Sequence, residues 1–488
     1  MLSESLLQKA GIMVINQIGL DFPRNKWNDL ERGILSAARE LGKGETDQDI
    51  SDWLSNGLLN RGDLEILINY LTVGETFFFR EKPGLDAFKN HIIPGIINER
   101  QGKEQYLRIW SAGCCTGEEP YTLAILLSEI IPDITKWNIS LLATDTNATF
   151  LNKAQAGVYS AWSFRETDPN VREKYFTPAG KNWEIVPRIK KMVTFSLLNL
   201  ATDKYPSIQS NTNAMDVIFC RNVLMYFTPN QIKLTGKLFF QSLTEKGWFI
   251  PSSVELNDTF FTDFTSLKVE NGIFYRKLPK SDIMKAIPVI NKIVPKYPAK
   301  KKPAIQTDSR QNLNPQEKTV DLKLTPDQQF SILEITRLYN KGAYQQCIED
   351  CLSVLKKTTS ELKVLTLLIK SYANLGKLGE ALEYGDKLLE INNAGADSFY
   401  LYATILMEKN EQERAETALK KALYLDPHHI LSHLLHGNIA KRKGDHRIAQ
   451  KHFKNVKDLL STFNDEDIVP GSEGLTAGRL KELKELLS

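Results

Sequence analysis

The sequence lacks the features that mark a membrane-bound or exported protein. It contains no run of about 18 apolar residues, so a bilayer-spanning helix is not expected. The N-terminus does not join a basic start to an apolar core, because Asn16 and Gln17 interrupt the apolar stretch, and this argues against a signal peptide. Cysteines number only 5, an odd count that argues against a disulfide framework. Together these absences predict a cytoplasmic protein with reduced thiols.

Neither sign of charge dominates the chain. It has 488 residues, with 62 Lys and Arg against 59 Asp and Glu, for a net charge of +3 at pH 7. Such a balance does not by itself point to a nucleic-acid partner. Hydrophobic residues make up 42% and charged residues 25%, as in ordinary globular proteins. The length predicts two or three domains.

The pattern of the chain changes along its length. Residues 1–75 have amphipathic helical spacing, and residues 76–278 alternate short apolar strands with helices. That alternation predicts a parallel or mixed sheet covered on both faces. The predicted strands are residues 107–112, 140–145, 192–198, 216–220 and 247–251. Residues 279–325 are rich in proline and lysine, with seven lysines against the acid Asp282 between positions 280 and 302, which predicts a flexible basic linker.

A repeat of 34 residues follows the linker. Its turn positions are Gly342, Gly376, Asn410 and Gly444, and the small residues five positions later are Cys347, Ala381, Ala415 and Ala449. This period predicts tetratricopeptide helix pairs, four of which fit within residues 326–463. The tail from Ala477 predicts a short capping helix. Stacked repeats of this kind form a concave surface, so a protein or peptide ligand is expected there.

The most informative candidate for a ligand site is RIWSAGCCTGEEPY (108–121), which is predicted to run from a strand through a turn into a helix. Gly113 and Gly117 bracket the turn, where glycine lets the backbone approach a ligand at the start of a helix. The segment matches neither GxGxxG nor the GxxxxGK[ST] of a P-loop. Glu118 and Glu119 would repel a phosphate and favour a cationic ligand. A purely structural turn explains the glycines equally well.

Polar residues also follow two further predicted strands. Asp145 ends its strand 28 residues beyond Gly117, where an acid can accept hydrogen bonds from ribose hydroxyls. The alternative is a helix N-cap, because Asp145-Thr146-Asn147 also suits a helix start. Arg221 and Asn222 follow the strand at 216–220 and are predicted to face the same crevice.

Five segments together resemble the chemotaxis receptor methyltransferases, the CheR family, in order and spacing. They are ETFFFRE (75–81), RIWSAGCCTGEEPY (108–121), ATDTNATFLNKAQAGVY (143–159), NL (199–200) and DVIFCRNVLMYF (216–227). The resemblance implies a helical domain over residues 1–75 and a Rossmann-like methyltransferase domain over 76–278, dependent on S-adenosylmethionine, with a small antiparallel β subdomain at about 160–195. With tetratricopeptide repeats over 326–488, the predicted fold class is multidomain, α/β plus all-α.

The resemblance also implies a reaction and its partners. The reaction is methyl transfer from S-adenosylmethionine to glutamate side chains of chemoreceptors, giving methyl esters and S-adenosylhomocysteine. A glutamate carboxylate has an unperturbed pKa of about 4.3, so it is already a nucleophile at neutral pH and requires no general base. The (D/N)PP(Y/F) signature of enzymes that methylate base amino groups is absent. The expected partners are therefore the helical cytoplasmic domain of a chemoreceptor and a protein or peptide on the repeats, without nucleic acid or membrane insertion.

Site residues follow from the resemblance position by position. The implied cofactor-binding residues are Thr76, Arg80, Gly113, Glu119, Asp145, Asn199, Leu200, Arg221 and Asn222. The implied catalytic residues are Arg80, which would steer the acceptor carboxylate, and Tyr226, which would position the carboxylate or the sulfonium. Leu200 as strand packing and Tyr226 as a core aromatic are the structural alternatives. No metal site is expected.

The chain departs from the family pattern at four places. Gly74 stands where Asn is usual, and Ser253 stands where His is usual. Residues 1–75 contain seven Lys or Arg against twelve Asp or Glu, a net of −5, where the family often has a basic helix. Gly180 lies in a loop where tethered members tend to have Gly-x-Gly, so binding without a pentapeptide tether is predicted. Two alternatives therefore stay open: a non-catalytic docking or scaffold protein that binds S-adenosylmethionine, and a methyltransferase for another acceptor.

Overall fold

The N-terminal region of the chain is helical. A computed structural model describes residues 1–54, 59–102, 105–278, 326–356, 362–391 and 394–481. The first four helices are α1 (Glu4–Gln17), α2 (Trp27–Glu40), α3 (Asp47–Leu54) and α4 (Arg61–Leu71). Ser3 and Asn60 cap α1 and α4 by accepting a backbone N–H with their side chains. The helices enclose a core of their own, in which Leu30, Ile34 and Leu67 are fully buried.

A seven-stranded mixed sheet forms the centre of the molecule. Its strand order is β6-β2-β1-β7-β8-β10-β9. The parallel strands are β1 (Tyr106–Ala112), β2 (Asn138–Asp145), β6 (Val193–Leu197), β7 (Met215–Cys220) and β8 (Leu243–Pro251). The antiparallel edge consists of β9 (Thr265–Val269) and β10 (Gly272–Arg276). All five predicted strands are confirmed, and so is the predicted mixed sheet.

Helices cover both faces of this sheet. They are α5 (Lys82–Ala87), α6 (Ile93–Arg100), α7 (Glu118–Ile130), α8 (Ala148–Ala156) and, later in the chain, the helix Pro229–Ser242 (α11). The short helices α9 (Pro169–Tyr175) and α10 (Pro187–Lys190) pack against a separate small sheet and against α7, respectively. Strand β7 is buried along its whole length, as expected of a central strand in a sheet with two covered faces. A separate antiparallel sheet, in the order β3-β5-β4, contains β3 (Val158–Tyr159), β4 (Phe176–Ala179) and β5 (Asn182–Ile185).

The C-terminal region consists of four helix pairs. Their helices are α12 (Pro326–Asn340), α13 (Tyr344–Leu355), α14 (Leu362–Asn374), α15 (Leu378–Leu389), α16 (Ala396–Glu408), α17 (Gln412–Leu425), α18 (Ile430–Lys443) and α19 (His446–Leu460). The four predicted turn positions have left-handed backbone: Gly342 (φ 71°), Gly376 (φ 73°), Asn410 (φ 62°) and Gly444 (φ 84°). Glycine and asparagine adopt this conformation at low cost, which explains the 34-residue period of the sequence.

Two predictions concern residues beyond these elements. The predicted linker, 279–325, lies outside the described residues. The predicted capping helix begins at Ala477 and is helical to Lys481, and residues 482–488 again lie outside the described part. Among the described residues, no helix combines the length and hydropathy needed to cross a bilayer.

Candidate active site

All ten site residues predicted from the sequence line one cleft at the carboxyl ends of the parallel strands. They are Thr76, Arg80, Gly113, Glu119, Asp145, Asn199, Leu200, Arg221, Asn222 and Tyr226. The space between these side chains measures about 990 Å³ when the part that is open to solvent is included. In open α/β sheets, ligands bind in the crevice outside the carboxyl ends of the strands, so the location agrees with a ligand site.

The glycine turn after β1 is held tightly against neighbouring backbone. Gly113 has φ 81°, and the backbone N–H groups of Gly113 and Cys114 donate to the carbonyl of Thr144 at 2.7 and 2.9 Å. A Cβ atom on Gly113 would lie 2.3 Å from Cγ2 of Val223. Glycine is therefore required at this position both by the left-handed backbone and by the close approach of the loop that follows β7.

Asp145 is a half-buried carboxylate with spare acceptor capacity. Its Oδ2 accepts the Cys115 N–H at 2.8 Å, and its Oδ1 accepts the Asn147 N–H at 2.9 Å. Burial raises the pKa of this carboxyl, and the backbone N–H donors partly oppose the rise. The two oxygens have about four acceptor sites in all, so capacity remains for a hydroxyl donor in the cleft. A helix does start after Asp145-Thr146-Asn147, but its N-cap is Asn147, which accepts the Phe150 N–H, and not Asp145.

Glu119 and Arg221 form a buried ion pair in the wall of the cleft. Arg221 Nε donates to Glu119 Oε2 at 2.6 Å, while Ser111 donates its hydroxyl to Glu119 Oε1 at 2.7 Å. Arg221 Nη1 also donates to the carbonyl of Arg80 at 2.6 Å, so this pair fixes the backbone of the residue at the mouth of the cleft. Arg221 offsets the negative charge of Glu119.

The other acid at the start of α7 points elsewhere. Glu118 is buried and accepts hydrogen bonds from Thr116 at 2.6 Å and Ser163 at 3.0 Å. Burial raises the pKa of its carboxyl. The sequence-based expectation that both acids attract a cationic ligand is therefore wrong for Glu118, which does not line the cleft.

Asn199 links the cleft to the N-terminal helices. Its side-chain amide donates to the carbonyl of Ile18 at 2.9 Å, and its backbone N–H donates to Asp203 Oδ2 at 2.8 Å. Ile18 and Leu20 themselves line the cleft beside Leu200. The end of α1 therefore forms part of the wall, a contribution that the sequence pattern did not indicate.

Glu255 organises the loop after β7 and was missed by the sequence analysis. Its carboxylate accepts the backbone N–H groups of Asn222 at 2.9 Å, Val223 at 2.8 Å and Met225 at 3.2 Å. It also accepts the Ser252 hydroxyl at 2.5 Å. Asn222 has φ 59°, and these hydrogen bonds hold that left-handed turn in place. The available signal was an acid four residues beyond the buried end of strand β8, which ends at Pro251.

Arg80 and Tyr226 stand at the mouth of the cleft. Arg80 Nη1 donates to the carbonyl of Glu75 at 2.6 Å. Burial raises the pKa of the Tyr226 hydroxyl, and the nearby charge of Arg80 opposes the rise, so this hydroxyl is a neutral donor at pH 7. Among the described residues it has no hydrogen-bond partner. The Lys26 ammonium lies 5.3 Å from the centre of the Tyr226 ring, which brings a second cation to the mouth.

The two single-residue departures from the family pattern have different surroundings. A Cβ atom on Gly74 would lie 2.9 Å from the ring of Phe150, and Phe150 lines the cleft. Phe150 therefore occupies the space that a longer side chain at position 74 would need. Ser253 is exposed and does not line the cleft.

The neighbouring thiols in the glycine turn are not reactive groups. Burial raises the pKa of Cys114, and it raises the pKa of Cys115 to about 12. Both are therefore protonated at pH 7, and a protonated thiol is not a nucleophile. In the described part of the chain, no group of three or more potential metal ligands occurs.

The chain is similar to known proteins in two regions. Residues 74–271 match the model of the CheR methyltransferase, SAM binding domain, and residues 396–429 match that of the tetratricopeptide repeat. Chemotaxis protein methyltransferase 2 of Vibrio cholerae is 34% identical over 186 residues, which cover 38% of this chain and 63% of that protein. The chemotaxis protein methyltransferase of Listeria innocua is 30% identical over 269 residues, which cover 54% of this chain and 94% of that protein.

Among solved structures, MamA from Desulfovibrio magneticus RS-1 is 25% identical, and the match covers 27% of this chain and 75% of that chain. Its TM-score of 0.26 is too low to carry an argument.

Proposed function

The chain belongs to the CheR family of chemotaxis protein methyltransferases, and we propose that it methylates glutamate side chains on the cytoplasmic helices of a chemoreceptor. The methyl donor is S-adenosylmethionine, the ligand of the matched domain. What we propose is the identity of the acceptor and the roles of the residues that bind it.

The residues of the cleft suit this donor. The Asp145 oxygens keep acceptor capacity for ribose hydroxyls. Apolar side chains of Phe150, Leu200 and Val223 offer a wall for a flat base. When bound, S-adenosylmethionine supplies an electrophilic methyl group on a positively charged sulfur. The protein has to hold this group in line with the acceptor and exclude water.

The observation that carries the proposal is the chemistry of the groups at the mouth of the cleft, where the Arg80 guanidinium and the neutral Tyr226 hydroxyl suit a carboxylate acceptor. Neither histidine nor lysine lines the described cleft, and the thiols of Cys114 and Cys115 are protonated. The carboxylates that line it are already engaged: Glu75 pairs with Arg165, Glu119 pairs with Arg221, and Asp145 accepts two backbone N–H groups. An acceptor that had to lose a proton would need a base. A glutamate carboxylate, with a pKa of about 4.3, is already ionised and needs none. The acceptor oxygen forms a bond to the methyl carbon while the carbon–sulfur bond breaks and its electron pair stays on sulfur.

The cations at the mouth favour an acidic acceptor. Arg80 and Lys26 both lie close to Tyr226, although residues 1–75 as a whole are acidic by −5. Charge near the reacting groups affects the encounter more than net charge does, since screening weakens interactions beyond about 10 Å. We propose that Arg80 steers the receptor carboxylate, while Tyr226 donates a hydrogen bond that positions it.

A purified chemoreceptor cytoplasmic fragment tests the proposal. It would be incubated with S-adenosylmethionine and the full chain, and methylated residues would be mapped by peptide mass spectrometry. We expect methylated glutamates and, for Arg80→Ala, turnover about a hundredfold lower at saturating substrates. The control Arg32→Ala removes an exposed arginine that pairs with Asp29 on α2 and should leave turnover unchanged. Methylation confined to other residue types would contradict the proposal.

A further inference from the structure

Another part of the same chain packs against the first helices of two of the repeats. The loop between β6 and β7 includes residues 203–213, here called the 203–213 loop. Its Ile208 is 3% exposed and packs in one apolar cluster with Leu365 and Ile369 of α14 and with Leu401 and Ile405 of α16. These are the first helices of the second and third pairs, so an apolar side chain of the catalytic region lies between neighbouring repeats.

Buried polar contacts fix the same loop. Asn213 is fully buried, and its amide donates to the carbonyl of Ala373 at 3.1 Å and to Glu408 Oε2 at 3.2 Å. Glu408 also pairs with Arg108 at 3.5 Å, and Arg108 Nε donates to the Asn213 carbonyl at 3.0 Å. Buried groups paired in this way are costly to separate, so the loop and the repeats form one packed unit.

The segment after the repeats holds the loop from its other side. Residues 465–481 are here called the C-terminal segment. Ser207 donates its hydroxyl to Glu473 at 2.7 Å, and the Gln209 amide donates to the Gly471 carbonyl at 2.5 Å. Glu473 in turn pairs with Lys370 of α14 at 2.7 Å. The 203–213 loop therefore lies between the repeats and the C-terminal segment and forms hydrogen bonds with both.

The carboxylate of Asp203 connects the C-terminal segment to the cleft. Asp203 Oδ2 accepts a hydrogen bond from Arg479 Nη2 at 2.7 Å and from the backbone N–H of Asn199 at 2.8 Å. Asn199 lines the cleft and also binds the Ile18 carbonyl. A continuous set of hydrogen bonds therefore runs from the C-terminal segment to the wall of the cleft.

We propose that the repeats and the C-terminal segment stabilise the wall of the cofactor cleft. Arg479 is the positioning residue in this arrangement, and it acts on Asn199 through Asp203. Without the guanidinium, the Asp203 carboxylate is free to turn toward solvent and release the Asn199 N–H. The cleft then loses its ordered wall, and ordering it costs part of the binding free energy of the cofactor. This inference rests on S-adenosylmethionine as the ligand of the cleft and not on which acceptor is methylated.

The test is the affinity of the full chain for S-adenosylmethionine, measured by titration calorimetry without any acceptor. Arg479→Ala should raise the Kd about fivefold, and Arg479→Lys should recover part of the loss. Lys481→Ala is the matched control, because Lys481 pairs with Asp465 of the same segment at 2.7 Å but makes no contact with Asp203. Its Kd should equal that of the wild type.

A double-mutant cycle separates positioning from general loosening. In the Asp203→Asn background, Arg479→Ala should have little further effect on the Kd. The inference is overturned if Arg479→Ala leaves the Kd unchanged, if Lys481→Ala weakens binding equally, or if the effect of Arg479→Ala persists in full without Asp203. None of these results depends on receptor methylation, so failure here is distinct from failure of the proposed acceptor.

Discussion

Glu255 is the residue on which the shape of the cleft mouth depends most directly. Its two oxygens accept three backbone N–H groups of the loop that leads from Arg221 to Tyr226. Hydrogen bonds to a charged acceptor are about twice as strong as neutral ones. The carboxylate thus stabilises a turn that contains the left-handed residue Asn222, and through this turn it places Tyr226.

Glu255→Gln should lower kcat/KM about tenfold or more. In the variant, an amide nitrogen replaces one carboxylate oxygen, so the backbone N–H groups that this oxygen accepts in the wild type lose their acceptor. The Kd for S-adenosylmethionine should change less, since Asp145 is untouched. Steady-state kinetics with calorimetry would measure both. Glu245→Gln, at an exposed carboxylate of the same strand region, is the control, and equal losses in the two variants would contradict the role of Glu255.

Position 74 and Phe150 should behave as a coupled pair. In Gly74→Asn, the new Cβ atom would lie 2.9 Å from the Phe150 ring. This is too close for two carbon atoms, so the ring must move within the cleft. We expect weaker binding of S-adenosylmethionine in this variant and recovery when Phe150→Ala is added. Calorimetric Kd values for the two single variants and the double variant test this. Additive losses would show that the two positions are independent.

The ten cleft residues could be predicted from the sequence because each of them lies in a short motif of the family. The sequence analysis missed Glu255 and Ile18, whose contacts cross 33 and 181 residues to Asn222 and Asn199. Its charge argument treated Glu118 in the same way as Glu119, whereas the family match named Glu119 alone, and only Glu119 lines the cleft.

At the scale of elements, the repeats show how a sequence period becomes structure. The turn positions all have left-handed backbone, and the small residues Cys347, Ala381, Ala415 and Ala449 are all buried. Both requirements are local to a helix pair, so the spacing was enough to predict four pairs. The domain boundaries drawn from composition stay predictions.

The fourth helix pair contains a buried histidine group that makes its stability depend on pH. His433 and His452 share a hydrogen bond of 2.8 Å between their Nδ1 atoms, and the His436 ring lies 4.3 Å from that of His452. Burial, followed by the charges of His436 and His433, lowers the pKa of His452 to about 4. An unfolded histidine has a pKa of about 6.5.

Because the folded pKa of His452 is the lower one, the unfolded state binds more protons as the pH falls below about 6.5. We therefore expect α18 and α19 to lose stability between about pH 6.5 and 4, and to be insensitive to pH above 7. Hydrogen exchange of residues 430–460 at several pH values measures this. His452→Asn keeps a donor toward His433 but does not titrate, so an unchanged pH profile in that variant would contradict the explanation.

At the scale of the whole molecule, the contact between the repeats and the sheet centres on a buried pair of charges. Arg108 of β1 and Glu408 of α16 are both less than one-tenth exposed in their side chains. Burial raises the pKa of Glu408, and Arg108 opposes the rise. Strand β1 belongs to the sheet that carries the cleft, so this pair connects the repeats to the catalytic region. No sequence pattern predicted it, because its partners are 300 positions apart.

Glu408→Ala should lower the free energy of unfolding by about 3 kcal/mol, because it leaves the Arg108 charge buried without its counter-ion. Glu408→Gln keeps an oxygen for Asn213 and should cost less. Chemical denaturation with both variants gives the comparison. A denaturation midpoint for Glu408→Ala equal to that of the wild type would show that the repeats are not packed against the sheet as described.

The most direct test of the central claim is the chemistry of the methylated product. Methyl-labelled S-adenosylmethionine, the full chain and membranes that contain chemoreceptors should yield label that mild alkali releases as methanol, since carboxylate methyl esters hydrolyse readily. Asp145→Asn, which replaces one acceptor oxygen of the cleft with an amide donor, should abolish most of this label. Alkali-stable label, or no label despite measurable binding of S-adenosylmethionine, would contradict carboxylate methylation and favour another acceptor or a docking role.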